Sequence, residues 1–260
     1  MVAIAPSSRT TTKIILEGVA WPTFKALMAE MSEDRDYQIA YVPGQLQLEN
    51  IQPNTTSDKG RLILHRVSWS TYQLLMADVG DGRAWRIAYA LGALELRMPL
   101  EEHEEPKRLL EDFVTAMVDE LGIELRSLGS LTLEREELSR AVEPDSCFYI
   151  QNESRVRGRK ISLPDDPPPD LAIESDRTHS SLNKLDLYAV LGVPELWRYN
   201  QKTFQVYLLT DGQYQLSDRS LAFPSMPIAE VPELIERSKE IGQRATVRMF
   251  RERVRAIMQR

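Results

Sequence analysis

The stretch PPPDLAIESDRTHSSLNKLDLYAVLGVPELWRYN, residues 167–200, reads as strand, helix, strand. Proline has no N–H to give to a ladder, so Pro167, Pro168 and Pro169 hold the first strand back to Asp170. Ser180 or Ser181 is placed to cap a helix with apolar positions at Leu182, Leu185 and Ala189, and Gly192 with Pro194 stops it. ELWRYN, residues 195–200, is the second strand. Two strands joined through a helix form a parallel pair with a crossover, whereas antiparallel neighbours need only a tight turn. The segment therefore predicts a mixed α/β layer.

Working outward, EPDSCFYI (143–150) gives a strand that begins near Asp145, and IELRSLGSLTLE (123–134) reads as one bent or interrupted strand. After Pro106, residues Leu109, Leu110, Phe113, Met117 and Leu121 have helical spacing, with Gly122 as the C-cap. On the other side, TFQVYLLTDGQYQLSD (203–218) is a hairpin turned at Asp211-Gly212, and the chain ends in one long amphipathic helix from about Glu233.

The first hundred residues carry a repeat. At an offset of 48, residues 13–50 align without gaps on residues 61–98, and 15 of the 38 positions are identical, including Trp21 with Trp69, Thr23 with Thr71, and Gly44 with Gly92. Each copy reads as a short helix after the tryptophan and then a hairpin around the glycine, with the aromatic residues in a packing role. Two copies do not make a solenoid. Gln47 in the first copy stands where the second has Glu95, and only the second runs into the following helix. The expected organisation is an appended helix-hairpin copy at 1–60 and a main domain at 61–260.

Composition excludes several classes. At 42% hydrophobic and 27% charged the chain is an ordinary globular one, and no apolar run approaches the roughly 18–20 residues that span a bilayer. A soluble, cytoplasmic protein is expected, with no membrane partner. One cysteine, Cys147, forms no internal disulfide and is expected in the core of its strand; three histidines leave little for zinc, so a metal would be held by oxygen. The net charge of -7 argues against nonspecific coating of nucleic acid. Its distribution is uneven: residues 101–120 hold eight acids and two bases, while RVRGRK (155–160) and the arginine-rich segment 244–260 run the other way.

Three polar residues stand out from the packing pattern. Asp145 opens the strand of Cys147 and Phe148, and Glu174 ends the apolar run Leu171–Ile173, with Asp176 two residues on and on the same face. Lys184 lies in the first turn of the crossover helix, where the macrodipole disfavours a cation, so a local carboxylate should compensate it. Two carboxylates at adjacent strand ends suit Mg²⁺, with Mn²⁺ as an alternative, and a lysine beside them suits phosphodiester hydrolysis. The bland reading is a surface lysine and two ordinary strand-end acids.

These stretches, together with GALELRMPLEEHE (92–104), resemble the restriction-type endonucleases of the Uma family, cyanobacterial in type, within the PD-(D/E)XK nuclease superfamily. The resemblance covers about residues 69–255 and implies a restriction-endonuclease-like core: a mixed β-sheet flanked by helices, here with a duplicated N-terminal helix-hairpin unit. It implies Mg²⁺-dependent cleavage of DNA, with Asp145 and Glu174 as metal ligands and catalytic acids. The superfamily lysine falls two residues after the second acid, where this chain has Asp176; Lys184 fits the alternative position on the next helix. His103 and Glu95 are expected at the edge of the site. The basic run 155–160 would lie close enough to touch a phosphate backbone, and the acidic segment 101–120 beside the metal site. By analogy with enzymes that cut two strands, a homodimer is expected. The competing expectation is a catalytically inactive module of the same fold that binds nucleic acid or a protein partner.

Overall fold

The computed structural model describes residues 12–31, 37–50, 60–98, 101–175, 182–200 and 203–259, giving backbone alone for 101–103. Asp176, His179, Ser180 and Ser181 lie outside the described residues. The chain divides into two compact units, Met1–Pro99 and Leu100–Arg260. No helix among the described residues is long and apolar enough to cross a membrane.

The first unit runs β1 (Lys13–Val19), α1 (Trp21–Glu30), β2 (Tyr37–Val42), β3 (Gly44–Asn50), β4 (Arg61–Leu64), α2 (Trp69–Val79), β5 (Arg86–Ala90) and β6 (Ala93–Arg97). Both halves thus begin with a strand that the helix-and-hairpin reading omits. It forms because Ile14 and Leu16, and Leu62 and Leu64, alternate into the core. β3 lies between β1 and β2, and β6 between β4 and β5, all antiparallel. Residues 48 apart take matching places. Trp21, Phe24 and Tyr41 cluster as do Trp69, Tyr72 and Tyr89, and the Tyr41 and Tyr89 hydroxyls donate to the Val19 and Val67 carbonyls at 3.1 and 2.8 Å.

The second unit contains α3 (Glu101–Leu121), β7 (Arg126–Gly129), β8 (Leu133–Arg135), β9 (Arg140–Val142), β10 (Ser146–Tyr149), α4 (Glu153–Val156), β11 (Leu171–Ser175), α5 (Lys184–Val190), β12 (Glu195–Asn200), β13 (Thr203–Thr210), β14 (Gln213–Ser217), α6 (Val231–Ile241) and α7 (Gln243–Met258). Six strands form a mixed sheet in the order β14-β13-β12-β11-β10-β7. β11 and β12 are its parallel pair, joined through α5 as the crossover pattern requires; β10 runs antiparallel to β11. The β13–β14 turn is at Asp211 and Gly212, both at positive φ, as a two-residue hairpin of this type needs.

Three expectations change. IELRSLGSLTLE is not one strand: β7 edges the six-stranded sheet, whereas β8 pairs with β9. The C-terminal helix breaks at Gly242, whose φ of +88° lies outside the helical region, giving α6 and α7. The crossover helix starts at Lys184 with Asn183, not a serine, as cap, the Asn183 side chain accepting from Asp186 N at 3.4 Å. Its buried residues are consequently Leu187, Tyr188 and, just beyond its end, Leu191, rather than Leu185 and Ala189.

One face of the sheet carries the core of this unit. Phe148, Leu171, Ile173, Trp197, Tyr199 and Val206 pack with Leu109, Phe113 and Met117 of α3, Leu234 of α6 and Phe250 of α7, and the Phe113 and Phe250 rings stack 4.2 Å apart. Outside this apolar contact, α7 holds the acids of α3. Arg244 meets Asp112 at 2.9 Å, and Arg251 and Arg255 reach Glu120 at 2.8 and 2.6 Å. Hydrogen bonds from Arg255 first, and then Arg251, lower the Glu120 carboxyl to about 2. Much of the local imbalance seen in the sequence is a helix-to-helix pairing.

Candidate active site

β10 and β11 pair with Ser146 opposite Ile173 and Cys147 opposite Ala172, so Asp145 and Glu174 are the next residues at the adjoining ends of the two strands. The Asp145 N–H donates to the Ile173 carbonyl at 3.1 Å, which ties the residue to the end of β11 just before β10 begins. Alternation then fixes the faces: Phe148, Leu171 and Ile173 point to the helical core, while Cys147, Ala172 and Glu174 point to the other side. Two carboxylate residues thus stand at one end of the two strands, one on each.

Each is held. Asp145 Oδ2 accepts the Ser175 N–H at 2.7 Å, which orients that carboxylate at the strand end. Glu174 is 2% exposed, its Oε2 lying 2.7 Å from Lys184 Nζ and its Oε1 accepting the Tyr188 hydroxyl. Lys184 and Tyr188 are four residues apart on α5 and so share a helix face. Lys184 thus heads the inward stripe that continues through Leu187, Tyr188 and Leu191, with the ion pair offsetting the unfavourable helix-start position. Parallel pairing of β11 with β12 also sets half-buried Arg198 beside Glu174. Ser146, on the opposite face, donates to Glu111 of α3.

The structure joins Lys184 to Glu174 and sets the Asp145 carboxylate on the N–H of Ser175, the residue that follows Glu174. Glu95 belongs to the first unit, buried in the middle strand β6 with Arg61 Nε 3.5 Å from its carboxylate. His103 is the third residue of α3, and its side chain lies outside the described residues. Sequence reasoning missed Tyr188, although its spacing from Lys184 could have revealed it. It also missed Arg198, which only the parallel register could reveal. α3 packs its apolar residues on the core face, and of its acids Glu111 meets Ser146, the neighbour of Asp145.

The basic run is engaged locally. Arg157 Nη2 lies 2.5 Å from Glu153 and Arg159 3.0 Å from Asp166, so part of its charge is already balanced on its own loop. Asp170 ties that loop to β10 by accepting the Ile150 and Asn152 N–H groups at 2.7 and 2.9 Å. Burial pushes the Cys147 thiol up to about 12, a core thiol and not a nucleophile.

A pair of hard oxygen donors fits the chemistry of Mg²⁺, which takes one or two carboxylates and keeps several waters. A carboxylate offers about four lone-pair sites, and at Glu174 Lys184 and Tyr188 each use one. Among the described residues no three His, Cys, Asp or Glu side chains are grouped to hold a metal, so a cation here would rest on this pair and on water.

No curated protein matches the chain. The family model Uma2, described as "Putative restriction endonuclease", matches residues 69–236, which include β10, β11, α5 and the whole of the carboxylate-lysine group. As that match takes in well over half of the sequence, the chain belongs to the Uma2 family.

Proposed function

We propose that the chain is a metal-dependent endonuclease that hydrolyses DNA phosphodiester bonds, with Asp145 and Glu174 holding Mg²⁺ or Mn²⁺. The single observation that supports this most is the placing of Asp145 and Glu174 at the adjoining ends of β10 and β11, the first on the Ser175 N–H and the second with Lys184 Nζ 2.7 Å away. Family membership supplies the reaction class. Bound between the carboxylates, the cation would polarise a phosphoryl oxygen and lower the pKa of water. Asp145, fixed by Ser175, and Glu174, fixed by Lys184 and Tyr188, need little reorganisation to receive it. Lys184 supplies a fixed positive charge on the same face, where it can orient the attacking water and stabilise developing negative charge. Activity is assigned to residues 61–260, with 1–60 as an appended copy, and a homodimer would present two sites to two strands.

Plasmid cleavage in millimolar Mg²⁺ or Mn²⁺ tests the reading. Asp145→Asn and Glu174→Gln should each abolish cleavage while preserving the circular dichroism of the wild type. If both variants cut as well as wild type, the assignment is wrong. Glu95→Gln and His103→Ala test the supporting roles assigned to those residues, with a partial loss expected.

A second reading, a catalytically inactive module of the same fold that binds nucleic acid or protein, is favoured by Asp176 in place of the superfamily lysine. The ion pair that already occupies Glu174 points the same way. Calorimetric titration with Mg²⁺ in the presence of DNA separates the two: no heat of metal binding at millimolar concentration supports this second reading.

A further inference from the structure

Contacts between the two 48-residue copies are reciprocal. Glu30, the last residue of α1, accepts the Ser68 N–H at 2.9 Å, the Ser68 hydroxyl at 2.5 Å and the Thr71 hydroxyl at 2.8 Å, capping the start of α2. Asp78, the equivalent of Glu30, accepts the N–H of Ala20, the equivalent of Ser68, at 2.8 Å at the start of α1. Ala20 and Ser68 have the same extended backbone, φ and ψ of -78° and 156° against -68° and 158°. The Tyr37 hydroxyl also donates to the Ile63 carbonyl, and the residues one offset away, Trp85 and Ile15, line one cavity.

Interchanging the copies therefore turns the Glu30–Ser68 N–H contact into the Asp78–Ala20 N–H contact. Translational stacking would not do this, because it joins the end of one copy only to the start of the next. Interchange is the property of an isologous, two-fold interface, in which residue i meets j and j meets i. Here the two halves of that interface lie on one chain.

We infer that residues 13–50 stand in for a second protomer: the face of residues 61–98 that they cover is a self-recognition surface whose other fitting partner is the same face of another copy of this chain. The asymmetry supports the direction. The second copy alone carries both the Ser68 cap hydroxyl and the Asp78 acceptor, and so holds both halves of a complete two-fold contact. The first copy has Ala20 in place of the serine. Closed by the first copy, this face is not open to a second chain, and any homodimer of the intact protein forms elsewhere. The inference is independent of the nuclease reading.

Two cysteine pairs in the full chain test the two-fold relation, Ala20→Cys with Asp78→Cys and Glu30→Cys with Ser68→Cys, each on a Cys147→Ser background. Both pairs should oxidise within one chain, seen as single-chain mobility on a non-reducing denaturing gel. Crosslinking of one pair only, or between chains, overturns the proposal. Self-recognition is tested by releasing the first copy with Glu30→Arg and Leu27→Asp. Ser68→Cys with Asp78→Cys should then crosslink between chains, where on the unreleased background it should not. Released chains that retain native circular dichroism and yet give no such dimer overturn the assignment of the partner. If Leu27→Asp unfolds the unit, Glu30→Arg alone carries the same readout.

Discussion

Lys184→Met isolates the energetics of the carboxylate group. Lys184 and Glu174 are 13% and 3% exposed in their side chains, so the pair is essentially desolvated. Removing one partner of a buried pair leaves an uncompensated charge and costs about 3–5 kcal/mol. The Tyr188 hydroxyl still donates to Glu174 and Arg198 stands beside it in the sheet, so the lower end is expected, about 3 kcal/mol. For a unit of this size that is a fall of roughly 6–12 °C in Tm. Glu174→Gln added to Lys184→Met removes the stranded charge but keeps an acceptor for Tyr188. The double variant should regain at least about 2 kcal/mol over the single one, because neutral replacement of a buried pair is close to free. Urea unfolding followed by circular dichroism measures both. A single variant as stable as wild type would refute the buried pair; a double variant no better than the single one would refute the stranded-charge explanation.

Four further outcomes follow from named contacts. Phe250→Ala should cost about 3–5 kcal/mol in urea unfolding, since the ring is fully buried and stacked on Phe113. Gly18→Ala should lower Tm, because the residue sits at φ +85° and a Cβ would come within 2.8 Å of the Asp78 carbonyl oxygen. Glu120 has a folded-state pKa depressed from 4.5 to about 2, so its stabilising contribution is complete above pH 4.5 and disappears as pH falls towards 2. The difference in urea midpoint between wild type and Glu120→Gln should shrink over that window and also with added salt, as the arginines are partly exposed. Tyr188→Phe should lower stability by about 1.5–3 kcal/mol, the value of a hydrogen bond to a charged group, and a folded variant with unchanged stability would argue against that bond.

The strand-helix-strand order of residues 167–200 was legible because prolines, a glycine stop and short apolar runs each act locally. The Lys184–Glu174 pairing was legible too, through the misfit of a cation at a helix start. Face assignments were less so. Shifting the cap from Ser180 or Ser181 to Asn183 turned the buried stripe of α5 from Leu185 and Ala189 to Leu187, Tyr188 and Leu191. The break at Gly242 was hidden by amphipathic residues on both sides of it. Arg198 beside Glu174, and the acids of α3 beside the arginines of α7, depend on which distant strands and helices adjoin, and no local period encodes that.

The charge pattern illustrates the consequence. From sequence, an acidic segment and a basic tail look like separate functional surfaces, one for cations and one for phosphate. In the fold, Asp112, Asp119 and Glu120 meet Arg244, Arg251 and Arg255 across α3 and α7, on the face of the sheet away from Glu174. Opposite charges held in this way contribute little to the field a distant phosphate feels, because paired charges cancel beyond a few ångströms and salt screens the remainder. With those charges paired, the groups near the carboxylate pair itself gain weight in any electrostatic attraction of DNA. Lys184 and Arg198 are the cations that the β11 and α5 geometry places there, and Arg198→Gln should weaken DNA binding more than Arg244→Gln does, measured by fluorescence anisotropy at fixed salt. Equal losses from the two variants would show that the α7 arginines act on DNA despite their partners, and would return the basic tail to the interface.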